Sequence, residues 1–210
     1  DYGFDARQQN AQSEEGFSTA NWQTFAELGW LGVPFSEADG GFGGGAIETI
    51  LMSEQFGRGL LIEPFLATVV LAGGALKHGG SEAQKTQYLP GIIDGSVHGA
   101  LAFVEPQARF NLADITTTAV ADGDGYVLNG YKAVVLNGPQ ANFLVVSART
   151  SGDQRDEDGI SLFVMDAASA GISRRDYPTV DAFRASEITF ENVKLGADSL
   201  LGEAGKGLSI

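Results

Sequence analysis

From about Ser18 to Gly95 the apolar residues return every three to four positions, whereas from Val97 onward they come in short runs broken by glycine-containing turns. The first spacing predicts helices, because residues three and four apart share one helical face; the second predicts strands. Trp22, Phe25, Leu28 and Gly29 form one face that ends in a turn at Gly32. A second helix is expected from about Ala46 to Gly57, with Ile47, Ile50, Leu51 and Phe56 on one stripe and Gly57 and Gly59 as stop signals. A third runs from about Pro64 to His78, its proline suited to a first helical position. Ser81 and Gln84 fit a capping box opening a fourth helix through about Tyr88.

In the second half the runs are Gly99 to Val104, Thr116 to Val120, Tyr126 to Leu128, Val134 to Leu136, Phe143 to Ala148, Ile160 to Met165, Ile172 to Arg175 and Glu187 to Phe190. Asp122-Gly123-Asp124-Gly125, Asn129-Gly130 and Asn137-Gly138 supply residues that tolerate left-handed turns between them. The runs predict a small barrel or sandwich, with Ser151 to Gly159 as a solvated loop. A helix-only block followed by a strand-only block implies an α+β chain of two domains: residues 1–97 an all-α domain, and 98–210 an all-β barrel. The order excludes an alternating Rossmann sheet. The glycine run Gly40 to Gly45 reads as a structural turn, since no strand precedes it and no Lys-Ser or Lys-Thr pair follows.

Composition narrows the chemistry. The chain has no cysteine and two histidines, His78 and His98, so thiolate nucleophiles are excluded and a metal site is not expected. Its longest greasy stretch, Phe65 to Leu76, is diluted with Gly and Ala and falls short of a membrane span. A net charge of −14 disfavours nucleic acid or an anionic membrane as partner. Nine of the 13 Lys and Arg residues lie after position 98, so phosphate contacts are expected from the second half. The chain opens at Asp1 without the basic and apolar regions of a signal peptide, which favours a cytoplasmic origin. It closes just after the turn-rich Gly202 to Gly207, which predicts that one end is truncated.

Several segments, in one order from about residue 18 onward, resemble the acyl-CoA dehydrogenase family. They are Phe25-Ala26-Glu27-Leu28-Gly29-Trp30-Leu31-Gly32-Val33-Pro34, Gly40-Gly41-Phe42-Gly43, Gly79 to Lys85 with Tyr88-Leu89-Pro90, Ala102-Phe103-Val104-Glu105-Pro106, Leu128-Asn129-Gly130-Tyr131-Lys132, Ile188 to Val193, and Leu200-Leu201-Gly202-Glu203 with Gly205-Lys206-Gly207. The resemblance implies an FAD-dependent oxidoreductase that places a 2,3 double bond in an acyl-CoA thioester. It further implies helices that wall the acyl pocket and a barrel packed on the flavin and the pantetheine arm. No catalytic residue is assigned here, because the family's glutamate base lies in a C-terminal helical bundle absent from these residues. The implied partners are acyl-CoA, electron-transfer flavoprotein or a similar acceptor, and further subunits in a homo- or hetero-oligomer, a dimer or tetramer. The implied cofactor-binding residues are Leu101, Phe103, Val104, Arg109, Phe110, Val134, Val135 and Leu136; Phe110 and Leu112 are implied to meet substrate.

The chain departs from the family pattern where Gln107-Ala108-Arg109-Phe110-Asn111 replaces Gly-Ala-Gly-Ser-Asp. Val104 stands for a common Thr, Val134 for an aromatic residue that covers the flavin, and Leu136 for a Ser or Thr that reaches flavin N5. Flavin contacts would then rest on backbone amides. The pattern is similar to the smaller subunit of heteromeric pimeloyl-CoA or steroid-side-chain dehydrogenases. Two other readings share the architecture: a non-catalytic subunit that buttresses an active paralogue, and a flavin oxidase or monooxygenase. Glu105 is expected to fix a turn or meet the helical domain, His78 and His98 to be solvated or capping, and Arg174 and Arg175 to face solvent.

Overall fold

In the computed structural model, which describes residues 2–210, helices fill the first half and strands the second. The helices are α1 (Phe4–Gln12), α2 (Thr19–Glu27), α3 (Ala46–Arg58), α4 (Gly73–Gly79) and α5 (Glu82–Ile93). The strands are β1 (Gly99–Ala102), β2 (Thr118–Asp122), β3 (Gly125–Leu136), β4 (Phe143–Arg149), β5 (Ile160–Asp166), β6 (Ile172–Pro178), β7 (Arg184–Leu195) and β8 (Leu200–Leu201). The pattern did not announce α1, which buries no residue and so carries no apolar stripe.

Local chemistry sets the helix ends. Ser18 accepts a hydrogen bond from the Asn21 amide at the start of α2, and Gly29, at φ 76°, turns the chain away after it. Ser81 and Gln84 form the expected reciprocal cap of α5, and the Gln84 side chain also donates to the carbonyls of Asp198 and Leu200 at 2.6 and 3.0 Å. The expected third helix is in two parts. Phe65–Ala72 is wound as a π-helix, in which the Gly73 amide reaches back five residues to the Thr68 carbonyl, and α4 continues it. A Cβ on Gly73 would lie 2.7 Å from the Phe35 ring, so glycine admits this close approach. The apolar stripe of α3 faces outward: Ile47, Ile50 and Leu51 are exposed.

The strand order is β6-β7-β3-β2-β4-β5-β8, with β1 added parallel to β4. Two expectations are corrected. The sheet is not closed into a barrel: it ends at β6 and at β8, and β8 has only two residues to offer a partner. Asn129-Gly130 is not a turn; β3 runs straight through it, with a shift of register against β7 between Leu128 and Gly130. A Cβ on Gly130 would come within 2.5 Å of Thr117 Oγ1, so glycine is needed for strand contact there, not for reversal.

The central strands are buried on both faces, and their alternate residues enter different cores. Phe143 and Val145 of β4 and Leu162 and Val164 of β5 pack with Phe35, Leu76, Leu89 and Ile92 of the helical half. Leu144, Val146, Phe163 and Met165 point the other way, into a second core with Leu128, Val135, Ile188 and Phe190. The first core joins the two halves of the chain and leaves a cleft along their seam.

Candidate functional site

The cleft holds about 380 Å³. One wall is the π-to-α segment, through Val70, Leu71, Gly74 and Ala75; the other is the exit of β1 and the loop after it, through Leu101, Phe103, Leu112 and Ile115. Ser147, Ile160 and Leu162 form its floor, and Leu208 and Ile210 border it. A Cβ built on Gly74 would meet nothing within 4 Å, so that glycine widens the space. The lining is apolar apart from Ser147 and the exposed His78 at the end of α4.

The loop that follows β1 is held by one buried charge pair. Glu105 and Lys132 are both fully buried at their side chains, with Lys132 Nζ 2.7 Å from Glu105 Oε1. The second acceptor of Lys132 Nζ is Ser147 Oγ, at 3.0 Å. Glu105 Oε1 also accepts from the Thr117 amide, and Oε2 accepts from the Thr116 amide and hydroxyl and from Gln107 Nε2. Burial alone would raise the Glu105 pKa, but the Lys132 charge and these donors hold it down, to about 2. Burial lowers Lys132 to about 8 against the pull of Glu105, so it still carries its charge at neutral pH. Farther along the loop, Asp114 accepts from Gln154 Nε2 at 2.6 Å and Arg155 Nε at 2.7 Å, while Arg149 donates to the carbonyls of Ala113, Gln154 and Asp158. The 151–159 loop is therefore a strut of the site as well as a solvated segment.

The residues implied to bind cofactor separate. Leu101, Phe103 and Leu112 line the cleft. Val104 follows Phe103, and its carbonyl accepts from the Ala133 amide at 2.9 Å; no acceptor is found for the amides of Phe103 or Val104 among the described residues. Arg109 and Phe110 project from the turn into solvent, Phe110 completely, and leave the cleft clear. Arg109 sits at φ 51°, the left-handed conformation suited to the glycine that the family pattern has there. Val134 is half-exposed at φ 49° in a second register shift of β3. Val135 turns its side chain into the second core and is paired in register with Ser186 of β7, so its side chain is not offered to a ligand. Leu136 lines a separate recess of about 100 Å³ with Phe17, Asn137 and Arg184.

Glu105 fixes a turn, as read, but meets Lys132 and not the helices. His98 is neither solvated nor capping: its ring packs 5.3 Å from Trp22 and 5.5 Å from Phe17, and burial lowers its pKa to about 4. Arg175 is engaged by both oxygens of Glu187, and Arg174 donates to the Gly138 carbonyl, away from the cleft. Sequence reasoning gave no role to Lys132 or Ser147; Lys132 falls between two expected β-runs, where a lysine reads as solvent-facing, and its signals were its place in the Leu128 to Lys132 segment and the Glu105-Pro106 turn.

The profile described as acyl-CoA dehydrogenase, N-terminal domain, matches residues 5–96, and that of the middle domain matches residues 100–193. The chain is 33% identical over 85% of its length to Acyl-CoA dehydrogenase FadE29 of Mycobacterium tuberculosis, covering 46% of that protein. Among solved structures it is similar to the Tcur3481-Tcur3483 steroid ACAD G363A variant, with a TM-score of 0.84, 32% identity and coverage of 97% of this chain and 53% of that one. It is also similar to the FAD complex of PigA, with a TM-score of 0.88, 28% identity and coverage of 98% and 55%. The chain spans about half the length of the curated relatives it matches.

Proposed function

Because the chain belongs to the acyl-CoA dehydrogenase family, we propose that it provides the substrate wall and part of the flavin seat of an FAD-dependent enzyme that converts an acyl-CoA to its 2,3-enoyl thioester. The single observation that carries this reading is the apolar cleft between the π-to-α segment and β1, lined by Phe103, whose amide and that of the next residue, Val104, are unengaged among the described residues. Those amides, of Phe103 and Val104, are the donors that fit a flavin ring edge, and the outward turn of Arg109 and Phe110 keeps the approach open. Bound FAD supplies a hydride acceptor.

The chain's own residues bind and exclude water. Leu71, Leu101 and Phe103 offer an acyl chain an apolar surface, worth about 25 cal/mol for each Å² removed from water. The same surface keeps water from the bond being oxidised. No carboxylate lines the cleft among the described residues, and on this reading the base that takes the α-proton is the glutamate that the family resemblance assigns to a C-terminal helical bundle. The electrons leave to electron-transfer flavoprotein or a similar acceptor. The sequence departures at Val134 and Leu136, with Leu136 turned to a different recess, favour a second reading in which this subunit buttresses an active partner.

Purified full-length protein with its partner subunit is expected to be yellow and to lose absorbance near 450 nm on anaerobic addition of acyl-CoA. A colourless protein that acyl-CoA does not affect would exclude the first reading.

A further inference from the structure

Ser147 is where the buried charge network meets the cleft. Its residue is only 4% exposed, yet it lines the floor, paired in register with Leu162 of β5. Lys132 and Glu105, to which it is linked, do not reach the cleft. A serine hydroxyl has one hydrogen to donate and lone pairs to accept. The lone-pair side is taken by Lys132 Nζ at 3.0 Å, and no acceptor for the hydrogen is found among the described residues. Accepting from an ammonium also makes the hydroxyl a stronger donor, because hydrogen bonds in series polarise one another. A polar hydrogen left without an acceptor in an apolar enclosure is unfavourable unless a ligand meets it.

Resting on the dehydrogenase reading above, we propose that Ser147 is a specificity-determining donor that selects acyl groups carrying a hydrogen-bond acceptor, a keto, hydroxyl or ether oxygen, over plain alkyl chains. A plain chain lying over Ser147 would strip water from the hydroxyl and return nothing. An oxygen at the same depth would complete its hydrogen bonding, and the width left by Gly74 accommodates a substituted chain. The bland alternative is that Ser147 serves only as an acceptor for Lys132, and a selectivity ratio separates the two.

The test uses the full-length protein with its partner subunit and four probes: octanoyl-CoA and its 5-oxo, 6-oxo and 7-oxo derivatives. Both kcat/KM and, by calorimetry, Kd are measured for the wild type, Ser147→Ala and Ser147→Thr. The wild type is expected to prefer one oxo-thioester to octanoyl-CoA. Ser147→Ala should lower that preference about tenfold, chiefly through KM and Kd, as expected for a lost buried hydrogen bond. Ser147→Thr, which keeps the hydroxyl, should restore it. An unchanged oxo-to-octanoyl ratio in Ser147→Ala, or no oxo preference in the wild type, would overturn the proposal. If none of the four is oxidised, the dehydrogenase reading stands or falls on its own absorbance test near 450 nm, and the calorimetric ratios still decide this proposal.

Discussion

Glu105 and Lys132 show how much one pair of residues can set. Their side chains are removed from water completely, and the carboxylate organises the backbone of Thr116 and Thr117 besides neutralising the ammonium. Removing one partner leaves the other charge buried and uncompensated, which costs far more than the pair contributes net. Lys132→Met is therefore expected to destabilise the protein by about 3–5 kcal/mol, as read from urea unfolding. A loss below about 1 kcal/mol, the worth of an exposed pair, would show that Glu105 does not depend on it. The pair was only half legible. Glu105-Pro106 marked a turn in the sequence, but Lys132 falls between two expected strands, just after Asn129-Gly130, where nothing local says that a lysine points inward to a carboxylate 27 positions away.

At the scale of elements, β3 and the π-to-α segment carry the departures from regular geometry. β3 shifts register against β7 twice, and the second shift includes Val134, a β-branched residue, at φ 49°. That conformation costs an L-residue roughly 1–2 kcal/mol, and a β-branched one is a true outlier there. Val134→Asn, which tolerates left-handed backbone, is expected to raise stability by about 1 kcal/mol in thermal unfolding; a fall would mean that the Val134 side chain makes packing contacts that outweigh the strain. Helix existence was readable because Trp22 and Phe25, or Ser81 and Gln84, signal locally. The π winding was not: nothing in the local pattern separates it from an α-helix, and the close approach of Phe35 to Gly73 comes from a distant part of the chain. Nor was the bulge at Gly130, because Asn-Gly looks the same before a reversal and before a close strand contact.

Across the whole molecule, the helical half and the sheet meet at a shared core, and His98 lies at that junction against Phe17 and Trp22. Its folded pKa, about 4, lies below the ordinary 6.5, so the unfolded chain binds the proton more readily. The stability linked to His98 is therefore complete above pH 6.5 and lost as pH falls toward 4, an effect on the order of 3 kcal/mol at most. Glu105, also depressed, adds a second loss from its ordinary 4.5 down to about 2. His98→Phe should flatten the first of these limbs, measured by denaturant unfolding at pH 7, 5.5 and 4, and an unchanged slope would refute the assignment. Local information was enough for the helix-to-strand order, the capped helix ends and, through ordered motifs, the family, because periodicity and caps act over a few residues. The open sheet, the joined core, the buried Lys132 and the hydroxyl of Ser147 in the cleft were decided only by tertiary structure: each depends on which distant surfaces exclude water from which polar atoms, and spacing along the chain does not encode that.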